Sequence, residues 1–134
     1  MDIRAAFLQA KMLDREVYVR PPTDIEKKGV IWKLLKPLYG LDDASRKFYL
    51  KVKETLKKMG LRTLPGDEAV YYQHKNGKLE GMILSHVDDF TIAGTQEFVQ
   101  QIVAGIEEKF TVSKVEEDNF RFTGLDVKTK DGKI

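Results

Sequence analysis

The fold of this chain is indicated most clearly by the segment Gly81-Met82-Ile83-Leu84-Ser85-His86-Val87-Asp88-Asp89-Phe90-Thr91-Ile92-Ala93. The apolar runs on either side of His86–Asp89 are typical of the two strands of a hairpin. The turn between them contains two carboxylates and neither Gly nor Asn, the residues that tight hairpins prefer. Adjacent anions at a strand tip repel each other, and a divalent cation would relieve that repulsion. An isolated Asp pair is more often a solvated turn, because Asp suits turns in general.

A third carboxylate near the N-terminus changes that interpretation. Asp2 opens an apolar stretch, and we predict a first strand over Asp2–Phe7 that lies beside the hairpin. This placement would bring Asp2 near Asp88. The sequence therefore predicts a magnesium site built from carboxylates of two strands.

The composition agrees with one globular domain over residues 1–134. The chain is 42% hydrophobic and 33% charged, and at this length it can bury roughly two-thirds of its unfolded surface. It has no cysteine, which excludes disulfides and thiolate metal sites. Its apolar runs are shorter than the roughly 20 residues that span a bilayer, so we expect a soluble, intracellular protein with no membrane partner.

The charge is distributed unevenly along the chain. Residues 27–62 contain eleven Lys and Arg against three acidic residues, and the rest of the chain carries the acidic excess. A basic segment beside an acidic catalytic region suits an enzyme that binds phosphates and metal ions. The simpler interpretation is that these cations form the solvated face of a helix.

Two helices are predicted from caps and apolar spacing. Asp42 or Asp43 can cap the first helix, which runs to Met59 and stops at Gly60. Thr95 can cap the second helix. The apolar stripe of the first helix comprises Ala44, Phe48, Val52, Leu56 and Met59, and that of the second comprises Phe98, Val99, Ile102, Val103 and Ile106.

The remaining apolar runs predict short strands. We expect strands at 16–19, 30–34, 69–73, 110–112 and 120–127. Asn76-Gly77 predicts a type I′ turn that leads into the strand before His86. The core order of strand, helix, strand, strand, helix, strand predicts an α+β fold, in which two helices pack on one face of an antiparallel sheet.

Three short motifs occur in order along the chain: Asp2 with Phe7, then Leu38-Tyr39-Gly40-Leu41, then Val87-Asp88-Asp89. They resemble motifs A, B and C of reverse transcriptases. The residues around them, in 6–8, 36–41 and 44–49, are similar to the polymerases of copia-type LTR retrotransposons. The resemblance covers nearly the whole chain. It implies a polymerase palm, with a ferredoxin-like antiparallel sheet and two helices on one face, plus part of the fingers.

The resemblance also assigns roles to the carboxylates. Asp2 and Asp88 would be the principal ligands of two Mg²⁺ (or Mn²⁺) ions, and Asp89 a supporting ligand, so that all three are the predicted catalytic residues. In nucleotidyl transfer two metal ions activate the primer hydroxyl and stabilise the leaving pyrophosphate.

Substrate contacts follow from the same resemblance. Phe7 would be the aromatic gate that excludes a ribose 2′-hydroxyl, although an aromatic after a short strand is more often core packing. Lys114 lies where the family often carries a lysine that can protonate pyrophosphate. The predicted nucleotide-binding residues are Ile3, Phe7, Tyr39, Gly40 and Lys114, and the predicted primer-binding residues are Phe122, Thr123 and Gly124.

The implied partners are an RNA or DNA template with a DNA primer, and deoxynucleoside triphosphates. In the family, a tyrosine that contacts the nucleic acid usually stands at the position of His86, so this contact is in doubt here. Because the chain starts one residue before motif A, we expect further fingers, thumb and ribonuclease H segments in a parent polyprotein. The expected location is the cytoplasm or retroelement particles.

Three functions are compatible with these features. The first is the catalytic palm of an RNA-directed DNA polymerase, which the three aspartates favour. The second is a non-catalytic retroelement relic, or a domain reused to bind nucleic acid or a partner, which the truncation favours. The third, an RNA-binding ferredoxin-like domain, should expose aromatic residues on its central strands, and the sequence does not show that pattern.

Overall fold

The computed structural model describes residues 1–129. These residues form a mixed α/β structure with two α-helices, α1 (Ala44–Lys58) and α2 (Gln96–Lys109), and a short 3₁₀ helix at Ala6–Gln9. The strands, in chain order, are β1 (Asp2–Ile3), β2 (Tyr18–Val19), β3 (Trp32–Lys33), β4 (Arg62–Leu64), β5 (Asp67–Lys75), β6 (Lys78–His86), β7 (Asp89–Gly94), β8 (Val112–Lys114), β9 (Asn119–Phe122) and β10 (Leu125–Lys128).

The chain divides into two compact units. Among the described residues, the first contains Met1–Arg4 and residues 52–129, and the second contains Ala5–Lys51. That the 134 residues form one domain stays a prediction.

The first unit is built on a six-stranded sheet with the order β4-β5-β6-β7-β1-β8. Every pair of neighbours in this sheet is antiparallel. The turn between β5 and β6 is Asn76-Gly77, where both residues have positive φ, 53° and 76°. Positive φ at both central residues is the signature of a type I′ turn, which confirms the predicted hairpin. Strands β9 and β10 form a separate two-stranded hairpin.

Helix α2 begins and packs as its sequence predicts. The Oγ1 atom of Thr95 accepts a hydrogen bond of 3.2 Å from the backbone N–H of Phe98, which satisfies a free donor of the first turn. Phe98, Ile102 and Ile106 are buried. Val99 and Val103 are half-buried, so the apolar stripe is wider than the face that the core covers.

Helix α1 shows the predicted face and the predicted end. Ala44, Phe48, Val52 and Leu56 are all buried. Gly60 has φ 90°, and the N–H of the residue after it, Leu61, bonds back to the carbonyl of Leu56 at 3.1 Å. This 6→1 bond is typical of a helix that ends at a glycine.

The predicted strand over Asp2–Phe7 is wrong beyond Ile3. Ala5 adopts a left-handed conformation, with φ 47° and ψ 48°, which is incompatible with a continuing strand. The chain then turns into the 3₁₀ helix that contains Phe7. The other short strands of the second unit are also briefer than predicted, because pairing is confined to Tyr18 with Lys33 and Val19 with Trp32.

Two glycines allow α2 to lie close to the sheet of the first unit. A Cβ atom at Gly81 would be 2.3 Å from the Phe98 ring and 2.7 Å from the backbone oxygen of Ala93, and one at Gly94 would be 2.5 Å from the backbone oxygen of Glu80. Both distances to backbone oxygens are shorter than van der Waals contact. A side chain at either glycine would therefore push β6 and β7 apart or push α2 away from the sheet.

We expect Gly81→Ala to lower the free energy of unfolding by about 1–3 kcal/mol, because overpacking in a closed core has that cost. Urea denaturation of the variant and the parent chain measures the change. In a Phe98→Ala background the same substitution should cost less, because the ring that it meets is gone. Equal costs in both backgrounds would contradict the packing explanation.

Candidate active site

The turn between β6 and β7 presents Val87 and Asp88. Since His86 pairs with Asp89, only two residues form the turn. Val87, at the first central position, has φ 54°. A two-residue turn with positive φ at its first position normally has Gly there, and a β-branched residue in this region is strained. Strain of this kind concentrates at functional sites.

The first strand places a third carboxylate beside this turn. In the β1–β7 ladder Asp2 is directly opposite Asp89. The Ile3 N–H donates to the backbone oxygen of Asp88 at 2.8 Å, and the Phe90 N–H donates to that of Met1 at 2.8 Å. Backbone hydrogen bonds therefore fix the three aspartates at one end of the hairpin.

The three aspartates line one pocket of about 360 Å³. All of its lining residues belong to the first unit. Five of them have site roles predicted from the sequence: Asp2, Asp88, Asp89, Lys114 and Thr123. The others are Met1, His86, Glu116, Phe120 and Arg121.

The carboxylates of this pocket repel one another. The pKa of Asp89 is raised above its ordinary value, chiefly by burial and further by the charges of Asp2 and Asp88. The N-terminal ammonium, 4.0 Å from Asp89 Oδ1, opposes this shift, as does a backbone hydrogen bond from Phe90. Burial and the two neighbouring carboxylates thus make the ionised form of Asp89 less favourable than that of an isolated aspartate.

The donor set fits magnesium chemically, but the ligands are not assembled. Carboxylate oxygens are the ligands that Mg²⁺ prefers. Within residues 1–129, however, no group of three or more His, Cys, Asp or Glu side chains is arranged to hold a metal ion. The assignment of Asp2, Asp88 and Asp89 as metal ligands stays a prediction.

Lys114 reaches the pocket from β8. Its Cα pairs with that of Asp2 in the β1–β8 ladder. Its Nζ atom lies 2.7 Å from Glu116 Oε1, so the cation is held by a carboxylate two residues further along the chain. Sequence reasoning missed Glu116 and Arg121, because their proximity to Asp2 depends on strand pairing over more than a hundred residues. No local pattern reports such pairing.

The predicted primer-binding residues lie at the β9–β10 turn. Thr123 and Gly124 form this turn with φ 49° and 88°, and Thr123 lines the pocket. Phe122 ends β9 and is half-buried. A contact with a primer stays a prediction.

The other predicted nucleotide contacts are distributed over both units. Ile3 of the first unit is 1% exposed, so its side chain belongs to the core. In the second unit the rings of Phe7 and Tyr39 have centroids 4.3 Å apart. Phe7 is 8% exposed and Tyr39 63% exposed. Gly40 follows with φ 93°, a conformation that favours glycine. The proximity of Phe7 to the carboxylates stays a prediction.

A model of the family described as "Reverse transcriptase (RNA-dependent DNA polymerase)" matches residues 1–134. The chain belongs to the reverse transcriptase family. This confirms the family that its three motifs indicated. Among residues 1–129 of this reverse transcriptase segment, no helix is long and apolar enough to cross a membrane.

Curated relatives of this reverse transcriptase segment are transposon polyproteins. It is similar to the "Retrovirus-related Pol polyprotein from transposon TNT 1-94" of Nicotiana tabacum, with 33% identity over 70% of the chain and 7% of that protein. It is similar to the "Retrovirus-related Pol polyprotein from transposon RE1" of Arabidopsis thaliana, with 29% identity over 96% of the chain and 9% of that protein. The chain thus spans less than a tenth of these two relatives. No solved structure matches it significantly.

A substitution at Val87 tests whether the turn between β6 and β7 is strained. We expect Val87→Gly to raise the free energy of unfolding by about 1 kcal/mol, because glycine adopts positive φ without steric cost. Thermal or urea unfolding measures the change. As a control, Val115→Gly replaces another exposed valine whose φ is not positive, and it should not stabilise the chain. Destabilisation by Val87→Gly would contradict the strain at this turn.

Proposed function

We propose that this chain is the palm, with part of the fingers, of an RNA-directed DNA polymerase that uses two-metal-ion nucleotidyl transfer. The observation that carries the proposal is the convergence of Asp2, Asp88 and Asp89 on one pocket. Asp2 and Asp88 would be the principal ligands of two Mg²⁺ or Mn²⁺ ions, and Asp89 the supporting one. When bound, such ions activate the primer hydroxyl and stabilise charge on the leaving pyrophosphate.

The sheet order supports the assignment as a palm. Within the larger sheet, neighbouring strands run in the order β8-β1-β7-β6. Along the chain α1 lies between β1 and β6, and α2 lies between β7 and β8. Numbering these strands by their order in the sequence gives 4-1-3-2, the ferredoxin-like arrangement of two split βαβ units.

The chain's own residues would bind and orient the reactants. The carboxylates of Asp2, Asp88 and Asp89 would bind the metal ions, whose positive charge would relieve the repulsion between them. Lys114 can donate a proton toward pyrophosphate once it leaves Glu116, which now holds it at 2.7 Å. Thr123, at the edge of the pocket, with Phe122 and Gly124, would position the primer end.

In the second unit Phe7 and Tyr39 would contact the incoming deoxynucleotide. Their rings are in contact, and the exposed Tyr39 can present an aromatic surface to a base or sugar. Because Phe7 is mostly buried, it would act as the sugar gate either through the edge of its ring or through its contact with Tyr39. Ile3 would contribute only through its backbone, because its side chain is buried.

The proposed partners are a template with a DNA primer, deoxynucleoside triphosphates and the other segments of a parent polyprotein, in the cytoplasm or in retroelement particles. The basic residues of 27–62 would contact phosphates. Two of them are already paired within the second unit, since Lys47 Nζ lies 2.7 Å from Asp14 Oδ2 and Lys33 bonds to Glu16. Nucleic acid would compete with the carboxylates of Asp14 and Glu16, both of which are exposed.

A non-catalytic role is the second candidate. It is favoured by one observation, namely that the carboxylates among residues 1–129 do not form a ready three-ligand group. In that case the chain would be a retroelement relic, or a domain that binds nucleic acid or a partner protein.

Metal binding tests the site without requiring catalysis. We expect the purified chain to bind Mn²⁺ weakly, because metal ions at such sites are usually completed by substrate phosphates. Asp88→Asn should weaken this binding about tenfold or more, by removal of a ligand charge. Water-proton relaxation with Mn²⁺ measures the affinity. Glu107→Gln removes an exposed carboxylate of α2 that is not part of the pocket and should have no effect. Equal affinities in both variants would contradict the metal site.

Primer extension separates the two candidates. We expect the 134-residue chain to extend a primer poorly, because positioning of primer, template and triphosphate supplies much of the rate enhancement. The same chain with flanking polyprotein segments restored should extend it, and Asp88→Asn should abolish that activity. Failure of the restored protein would favour the non-catalytic role. Strong extension by the short chain would show that the flanking segments are dispensable.

Sugar selection tests Phe7. In the restored protein, Phe7→Val should raise ribonucleotide incorporation relative to deoxynucleotide incorporation by at least about tenfold, because the steric block is removed. Valine keeps an apolar side chain at this mostly buried position, and Phe7→Tyr, which retains the ring, is the control. An unchanged ratio in the Val variant would limit Phe7 to packing.

A further inference from the structure

Strand β8 carries an irregularity next to Asp2. In the antiparallel β1–β8 ladder Asp2 is opposite Lys114, but the next residue, Ile3, is opposite Val112. Successive residues of one strand should meet successive residues of the other, so Ser113 is an extra residue on β8. This is a β-bulge, a device that redirects a side chain and is common beside active sites.

The bulged residue is hydrogen-bonded to Asp2. Ser113 Oγ donates to Asp2 Oδ2, and it also lies 3.1 Å from the backbone oxygen of Asp2. A hydroxyl has one proton and cannot serve both acceptors fully at once. The carboxylate is the stronger acceptor, because it is charged. The bulge therefore aims the hydroxyl of Ser113 at the side chain of a predicted metal ligand.

We propose that Ser113 is a positioning residue, which fixes the rotamer of Asp2 and thereby prepares its carboxylate for a divalent cation. This inference rests on the proposed metal site. Through its hydrogen bond Ser113 occupies one lone pair of Oδ2, which leaves Oδ1 for a metal ion.

Asp2 needs such a restraint because the neighbouring carboxylate of Asp89 repels its side chain. Asp89 is directly opposite in the ladder, so the two carboxylates project from the same face of the sheet. Asp2 is also only half-buried, so its side chain is not held by packing on all sides. Neighbouring like charges favour rotamers that separate them, and a hydrogen bond from Ser113 opposes that separation.

Residues that orient metal ligands usually affect affinity strongly. Removal of such outer partners costs about 10–100-fold in metal affinity. Ser113 is exposed, so water can replace part of its contribution, and we expect the lower end of this range. Thr retains the hydroxyl and is favourable in strands, so Ser113→Thr should preserve the contact.

The first experiment measures Asp2 without any metal. Three-bond NMR couplings report whether χ1 of Asp2 occupies one rotamer in the parent chain and in three variants. We expect one rotamer in the parent and in Ser113→Thr, and averaging in Ser113→Ala. The matched control is Ser85→Ala, which removes a serine hydrogen bond to the backbone of the same sheet, from Ser85 Oγ to the oxygen of Ala69 at 3.1 Å. Unchanged couplings in Ser113→Ala would overturn the proposal.

The second experiment measures the affinity of the same proteins for Mn²⁺ alone. Ser113→Ala should weaken binding about tenfold, Ser113→Thr should restore it, and Ser85→Ala should leave it unchanged. If Asp88→Asn weakens binding and Ser113→Ala does not, Ser113 has no role in the metal site and the proposal fails. If neither variant changes the affinity, the proposed metal site itself fails, and the Asp2 couplings alone decide whether Ser113 positions that side chain.

Discussion

The structure of this site depends on backbone hydrogen bonds that hold like charges together. Ile3 donates to Asp88 and Phe90 donates to Met1, each at 2.8 Å, and these bonds set Asp2 opposite Asp89 at the tip of the β6–β7 hairpin. The pKa of Asp89 is raised chiefly by burial, and the charges of Asp2 and Asp88 add to that shift, so the arrangement is unfavourable for the ionised carboxylate. A ladder bond contributes only about 1 kcal/mol net, so the arrangement relies on the core beneath it, where Ile3 and Phe90 are buried.

The same hairpin carries local strain and close packing. Val87 keeps a positive φ in a turn that glycine would fit better, while Gly81 and Gly94 bring the strands against Phe98 of α2. The turn thus has no glycine, although its positive φ would favour one. The strands contain two glycines, although glycine is normally unfavourable within a strand. In the strands the local preference gives way to close packing against α2. At the turn it is violated beside the aspartates, as is expected near a functional site.

Features that depend on neighbouring residues could be predicted from the sequence. Thr95 and Gly60 mark helix ends through local hydrogen bonds, and Asn76-Gly77 sets a turn through its own φ angles. The length of the first strand could not be predicted, because the left-handed Ala5 that ends it has no signature in the sequence. Ser113 and Glu116 could not be found either, since their places beside Asp2 follow from a ladder that joins distant parts of the chain.

The lack of a ready three-ligand group among residues 1–129 is consistent with the electrostatics of the pocket. Three neighbouring carboxylates without a bound metal ion are most stable when their side chains point apart, and the hydrogen bond from Ser113 opposes this separation at Asp2. Mg²⁺ requires octahedral geometry and usually retains water or phosphate ligands, so protein carboxylates supply only part of its shell. A site of this kind would be completed when ion and triphosphate arrive together. Its backbone would supply the placement of the carboxylates, and the substrate would supply the remaining ligands.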